Sequence, residues 1–219
     1  MVELELKWLG HAGFRLAGEK IVYVDPFQLP KNYNDADIMI CTHEHHDHCS
    51  IDDIKKVITP KTVIICPADC ISKLKGLKIG NIVPIEAKQK LIVKGVPISA
   101  IPAYNVNKFR AEGIVFHPKD NAWVGIVIEL GGKKVYHSGD TDKIPEMAEL
   151  QDIDIALMAV GGKYTMDVQE AVEAVLMFHP KKAIPMHYGS IVGSVEDAIA
   201  FKNAVVKHGI ASDVLNIFM

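Results

Sequence analysis

What the chain lacks narrows the field before any motif is read. No apolar run approaches the roughly 18 residues of a membrane-spanning helix, so no span is expected. The opening Met1-Val2-Glu3-Leu4-Glu5 has neither the basic nor the apolar region of a secretory leader, and a cytoplasmic location is expected. Positive charge is not in excess. The 24 Lys and Arg face 27 Asp and Glu, a formal net charge of −3, which argues against a nucleic-acid binder that relies on a basic surface. Four cysteines, Cys41, Cys49, Cys66 and Cys70, include no second closely spaced pair that would complete a zinc site. Buried free thiols are expected for all four, with a Cys66–Cys70 disulfide reserved for a hyperthermophilic source. Gly-x-Ser-x-Gly and the P-loop are both missing, so neither a serine nucleophile nor a phosphate cradle is indicated. Without repeats, low-complexity tracts or a linker, the 219 residues, 49% hydrophobic, read as one domain over 1–219.

What the chain does have is concentrated in Thr42-His43-Glu44-His45-His46-Asp47-His48. Three imidazoles and a carboxylate stand at the spacing His-x-His-x-Asp-His, directly after the apolar run Ile38-Met39-Ile40-Cys41. A strand that feeds a ligand-rich loop is a rigid way to present a metal. Residues two apart in an extended segment point the same way, so His43 and His45 can share one ion. Asp47 and His48, past the turn, can reach a second nearby. Neutral imidazole with carboxylate suits Zn²⁺, as one or two ions, or else Mn²⁺ or Fe, rather than Ca²⁺ or Mg²⁺.

The other elements follow from periodicity and turn chemistry. Alternation of Leu4, Leu6 and Trp8 with charged residues predicts a half-buried strand, followed by strands at 14–16, 21–24 and 38–41. Ser50 with Asp53 predicts a capped helix to about Val57, and Pro67 opens a second to about Leu74. Strands are expected at 63–65, 82–85, 90–93, 96–101, 123–129, 134–136, 153–160 and 183–189, and a last one at 213–218. Residues 105–122 show no clear period. A short helix is expected at 145–150, and Asp167 and Ser194 cap two amphipathic helices, the second ended by Gly209. Short apolar strands with one-faced helices imply an α/β or α+β fold of two central sheets sandwiched by helices. Polar turns at His11, Asp25, 43–48, Tyr104, Asp140 and His187 each follow a strand and are expected to converge on one cleft.

With these residues in place, the chain resembles the metallo-β-lactamase superfamily of metal-dependent hydrolases, whose fold is a four-layer αββα sandwich. The resemblance rests on His43-x-His45-x-Asp47-His48, the Gly139-Asp140-Thr141 turn and the late His187. Trp8-Leu9-Gly10-His11-Ala12, Asp25-Pro26 and Tyr136-His137-Ser138-Gly139-Asp140-Thr141-Asp142 are similar to the branch of L-ascorbate-6-phosphate lactonase and N-acyl-phosphatidylethanolamine phospholipase D. It implies two adjacent metal sites: His43 and His45 at the first, Asp47, His48 and His187 at the second, and Asp140 bridging them. The family usually adds a third His to site one near position 104. Here the chain reads Pro102-Ala103-Tyr104-Asn105, with no His before His117. The preferred reading leaves site one open, with Asp140 as its third protein ligand and correspondingly weak binding there. The alternatives are that Tyr104 coordinates or touches substrate, or that His11 or His117 folds in.

The implied chemistry is attack of metal-activated water on an ester, lactone or phosphodiester, with Asp47 or Asp140 accepting the proton. His11 and Tyr104 are further candidates for the catalytic cleft, and Asp25 for orienting a ligand His. His46 is expected at the periphery or in solvent, and His137 either at the cleft or as a bonded structural histidine. His179 and His208 suit helix C-termini. Lys108, Arg110 and Lys119 can neutralise a small, anionic substrate, or simply form a solvated loop. Assembly as a homo-oligomer is left open. Two other functions compete: a non-catalytic metal or ligand binder, and a diiron redox protein, which would need a flavin domain for which the chain has no room.

Overall fold

Alternation along the strands decides the layering. In the computed structural model, which describes residues 2–77, 79 and 81–218, the first half of the chain forms a six-stranded sheet. It comprises β1 (Glu5–Gly10), β2 (Gly13–Ala17), β3 (Ile21–Val24), β4 (Ile38–Ile40), β5 (Val63–Cys66) and β6 (Asn81–Pro84), side by side in chain order. The first three pair antiparallel through tight turns, and β3 to β6 run parallel. The parallel crossovers carry α1 (Ile51–Val57) and α2 (Ala68–Leu74). Val22, Val24, Ile38, Ile40 and Ile65 belong to one buried cluster, while Tyr23, Met39, Cys41, Ile64 and Cys66 belong to another, shared with Ile54 and Val57 of α1 and Leu74 of α2. Successive side chains point to opposite faces, so one apolar strand feeds both layers.

The second half repeats the plan. It comprises β7 (Lys90–Val93), β8 (Val96–Pro102), a small hairpin of β9 (Phe109–Ala111) and β10 (Ile114–Val115), then β11 (Val124–Leu130), β12 (Lys133–His137) and β13 (Ile155–Ala159). After these come α3 (Val168–Phe178), β14 (Lys182–Met186), α4 (Val195–Lys207) and β15 (Ala211–Ser212). The seven-stranded sheet has the order β15-β14-β13-β12-β11-β8-β7, antiparallel from β7 to β12 and parallel from β12 to β15. Ile98, Ala100, Ile126 and Ile128 share the inter-sheet cluster with Phe14, Val22 and Ile38. Asp167 and Ser194 cap α3 and α4 in reciprocal boxes with Glu170 and Asp197, as the sequence predicts. The result is the αββα sandwich.

Two expectations need correction. Residues 213–218 do not form a strand: pairing with β14 stops at Ser212, and the tail crosses to the first sheet, where Phe218 N–H donates to the Trp8 carbonyl at 2.7 Å. Its apolar residues cover the neighbourhood of β1 instead of extending a ladder. Residues 105–122, read as irregular, contain the β9–β10 hairpin and a 3₁₀ turn at Lys119–Asn121. All four cysteines are buried and unbonded.

Candidate metal centre

The strands β1, β3, β4, β8, β12, β13 and β14 end at the same edge of the sandwich, because the pairing makes them mutually parallel within each sheet. All but β13, which runs into Val160-Gly161-Gly162, are followed by a polar turn. Three of these turns are bent at residues with positive φ that are not glycine: His11 (49°), Asp25 (44°) and His187 (62°). Such conformations cost roughly 1–3 kcal/mol each and gather where function requires them. Gly139 bends at φ 60°, and a Cβ there would meet the Val124 carbonyl at 2.8 Å. Gly161 lies against His187 so closely that a Cβ would stand 2.6 Å from its carbonyl and 3.0 Å from its Nδ1.

Asp140 is the centre. Its Oδ1 lies 3.2 Å from His48 Nε2, and its Oδ2 lies 3.1 Å from His187 Nε2 and 3.3 Å from His117 Nε2. On one side His43, His45 and His117 present ring nitrogens within 4.8 Å of one another; on the other, His11, Asp47, His48 and His187 do the same with theirs and a carboxylate oxygen. Asp140 also groups with His43 and His48. The preferred sequence reading, a first site without a third imidazole, does not describe this geometry. The β9–β10 excursion closes on itself: Asn105 N–H donates to the His117 carbonyl at 2.8 Å. His117 therefore stands beside position 105, after the hairpin, and joins His43 and His45. Tyr104 is not drawn in by its hydroxyl, which donates to Glu146 Oε2 (3.0 Å) and accepts from Lys119 Nζ (3.2 Å).

Three of the five ligand-like imidazoles are held by their other nitrogen. His48 Nδ1 donates to Asp25 Oδ2 at 2.7 Å, His43 Nδ1 to Thr42 Oγ1 at 3.0 Å, and His117 Nδ1 to Asn105 Oδ1 at 2.8 Å. These partners orient the rings so that Nε2 faces the cluster. Asp25 is itself bonded by the Thr42 N–H (2.8 Å) and hydroxyl (2.6 Å), and Asn105 Nδ2 donates to Asp142 Oδ1 at 2.9 Å. His11 Nε2 donates to Asp47 Oδ2 at 2.9 Å. Trp123 packs its ring against His43 and His45, with centroids 4.9 and 4.8 Å away. His46 is exposed, and His137 is a structural residue, donating from Nε2 to the Ala12 carbonyl and accepting the Gly139 N–H at Nδ1. Sequence reasoning gave Asn105, Asp142 and Trp123 no role at the site, although Asp142 closes the quoted stretch 136–142; no local spacing links Asn105 or Trp123 to the His loop.

Burial and charge set the protonation. Desolvation pushes His43 well below its ordinary pKa and takes His45 down to about 4, so both rings are neutral near pH 7. For Asp140, burial alone would raise the pKa, but His187 and His48 outweigh it and keep the carboxylate ionised. Asp47 is likewise held down against burial by the His11 hydrogen bond and by His48. Buried polar atoms without a hydrogen-bond partner are costly. Here His48 Nε2, His117 Nε2, His187 Nε2 and Asp140 Oδ1 are all of this kind and all adjoin the same point. A set of imidazole and carboxylate donors with free lone pairs fits a pair of divalent transition-metal ions.

Comparison with known proteins agrees with this geometry. Residues 5–187 match the model of the beta-lactamase superfamily domain. A UPF0173 metal-dependent hydrolase of Methanosarcina mazei is 33% identical over 231 residues, covering 94% of this chain and 92% of the relative. A crystal structure from Parabacteroides distasonis, of a protein designated a metal-dependent hydrolase, superposes with a TM-score of 0.80 at 31% identity, covering 99% of this chain and 94% of the other. Igni18, a metallo hydrolase of Ignicoccus hospitalis, shares the fold at 22% identity with a TM-score of 0.79, over 99% and 96% of the two chains. The chain thus belongs to the beta-lactamase superfamily and, within it, to the UPF0173 metal-dependent hydrolases.

Proposed function

We propose that the protein binds two divalent transition-metal ions and hydrolyses an ester, lactone or phosphodiester of a small molecule. His43, His45 and His117 would hold one ion, Asp47, His48 and His187 the other, with Asp140 between them. The observation that carries this reading is the convergence of His48, His117 and His187 on the two oxygens of Asp140. Zinc suits the donor set, and manganese or iron is compatible with it. Bound there, such ions would supply Lewis acidity, lowering the pKa of water from about 15.7 to about 7 and polarising an oxygen of the substrate. The chain's own part is preorganisation and proton transfer. Asp25, Thr42 and Asn105 orient the imidazoles they bond. Asp47, at the more open rim and steadied by His11, accepts the proton that water gives up and passes it to the leaving group. The cations expected to meet an anionic substrate are engaged elsewhere: Lys108 with Glu170 at 2.5 Å, and Lys119 with Glu146 at 2.9 Å. Arg110 stays exposed on the hairpin.

The test is a metal-loaded sample assayed on lactones, acyl esters and phosphodiesters, with elemental analysis. Two ions per chain and a fall in kcat of at least about a hundredfold in Asp140→Asn are expected. Activity that survives this substitution on every substrate, or a chain that takes up no divalent ion, overturns the reading.

A further inference from the structure

Beside the ligand cluster runs a cleft of about 990 Å³, between the end of β1, the loop after β3, the turn after β14 and the C-terminal tail. Its walls include Trp8 and Tyr188, buried and stacked with ring centroids 4.9 Å apart. Phe27, Val195 and Ile217 line it as well, and Val195 and Ile217 are half exposed, at 50% and 52%. Large apolar side chains left this open beside a concave surface mark a place where something docks.

The cleft adjoins the cluster through His11, while the proposed metal ligands themselves stand behind its wall. His11 lines it and also holds Asp47, while Tyr188 directly follows His187. The Phe27 ring lies 5.7 Å from His11 and 5.7 Å from His46, where the cleft meets the solvent end of the ligand loop. A molecule with its reacting group at Asp47 would have this cleft as its neighbour on the His11 and Phe27 side.

Two observations specify the chemistry of what lies there. Among the described residues, the lining holds no Asp, Glu, Lys or Arg. A phosphate or carboxylate in the cleft would find no cation. In addition, the Tyr188 hydroxyl is buried and has no hydrogen-bond partner among the described residues. Leaving it so costs roughly 1–3 kcal/mol, which an uncharged acceptor on a ligand would recover.

We infer that the cleft is the substrate's tail site and that the preferred substrates are uncharged carboxylic esters or lactones bearing an apolar chain or aryl group. This rests on the hydrolase reading and narrows it. The apolar group lies over Trp8, Tyr188 and Phe27, and a tail oxygen accepts from the Tyr188 hydroxyl. In the reaction, the carbonyl carbon gains the water oxygen, the acyl carbon–oxygen bond breaks, and the alcohol departs with the proton that water gave up.

The experiment is steady-state kinetics of the metal-loaded protein on p-nitrophenyl acetate, hexanoate and decanoate, with bis-p-nitrophenyl phosphate alongside. In parallel, 2-octanone, an uncharged ketone that cannot be hydrolysed, is titrated calorimetrically. We expect kcat/KM to rise by one to two orders of magnitude from acetate to decanoate, chiefly through KM. Ile217→Asp and Val195→Asp, at exposed positions, should each penalise decanoate at least tenfold more than acetate and weaken 2-octanone binding to the same degree. Tyr188→Phe should weaken 2-octanone less. An Asp140-dependent hydrolase with a flat chain-length profile, insensitive to Ile217→Asp, sinks the tail site and leaves the hydrolase standing. So does a clear preference for the phosphodiester. Dissociation of an oligomer by Ile217→Asp, with a flat profile, assigns the cleft to a second copy and overturns the proposal. Inertness on every substrate, together with indifference to Asp140→Asn, sinks the hydrolase reading itself.

Discussion

Asn105 shows how much one side chain can set. Its Oδ1 accepts from both the backbone N–H and the ring Nδ1 of His117, each at 2.8 Å, and its Nδ2 is spent on Asp142 and the Tyr164 carbonyl. All its capacity goes to placing one imidazole. Asn105→Ala should therefore lower metal affinity at the first site by roughly 10–100-fold while the second site fills normally. Chelator competition followed by elemental analysis checks this, and a two-ion chain with wild-type retention would contradict it. At this scale the sequence was partly legible. The spacing of His43, His45, Asp47 and His48 disclosed half of a centre, because a single loop carries them. His117 was only one of several alternatives, since its place depends on the chain returning to Asn105 after the hairpin, and no local pattern encodes that return. Tyr104 drew attention as the residue where an imidazole was wanted, but its hydroxyl is bonded to Glu146 and Lys119.

Among elements, α1 does more than follow the ligand loop. Asp53, expected only as the third residue of a capping box, accepts N–H bonds from Gln28 and Leu29 at 2.9 Å each, along with Ser50 and Lys56. One carboxylate thus pins the loop after β3, which carries Phe27, onto the helix that backs the metal loop. Burial alone would raise the Asp53 pKa, but the bonds from Ser50, Lys56 and the two backbone amides outweigh it and hold the group below its ordinary value. The sign follows: the stabilisation is present above the unfolded value of about 3.9 and is lost as pH falls through the lower folded one. Asp53→Asn should cost about 1–3 kcal/mol at neutral pH. The gap to wild type should close as the pH drops below about 4, which urea midpoints at pH 7 and pH 3 will show. Element positions were largely readable, because period-two alternation and the caps at Ser50, Asp167 and Ser194 are local signals. The tail was not. Val214, Leu215, Ile217 and Phe218 have the composition of a strand, yet they pack against the β1 side of the molecule, where the hydrogen bond to Trp8 decides the path.

For the molecule as a whole, the centre is a clasp between two sheets. His43, His45, Asp47 and His48 hang from the first, and His117, Asp140 and His187 from the second. Without ions, buried lone pairs on facing loops have only one another as neighbours. Each ion present at a thousand times its Kd would contribute about 4 kcal/mol to stability. For a chain of this length, that predicts a fall in Tm of about 10 °C for each ion that a chelator removes, reversible on reloading. Calorimetry with matched elemental analysis is the check, and an unchanged Tm in demonstrably metal-free protein would refute the clasp. That two sheets sandwich the core was legible from one-faced helices and short strands. Which loops face each other across the seam was not, since it depends on how the two sheets dock.

The seam also imposes an order on biosynthesis. The His43–His48 loop leaves the ribosome long before His187, the last donor, which follows β14 deep in the second sheet. A nascent first half therefore offers imidazoles and a carboxylate with no partner loop to close over an ion, and any cation picked up early can escape. With the ligands assigned as proposed, tight loading would wait until the second sheet exists, and the growing polypeptide would hold any early cation only loosely.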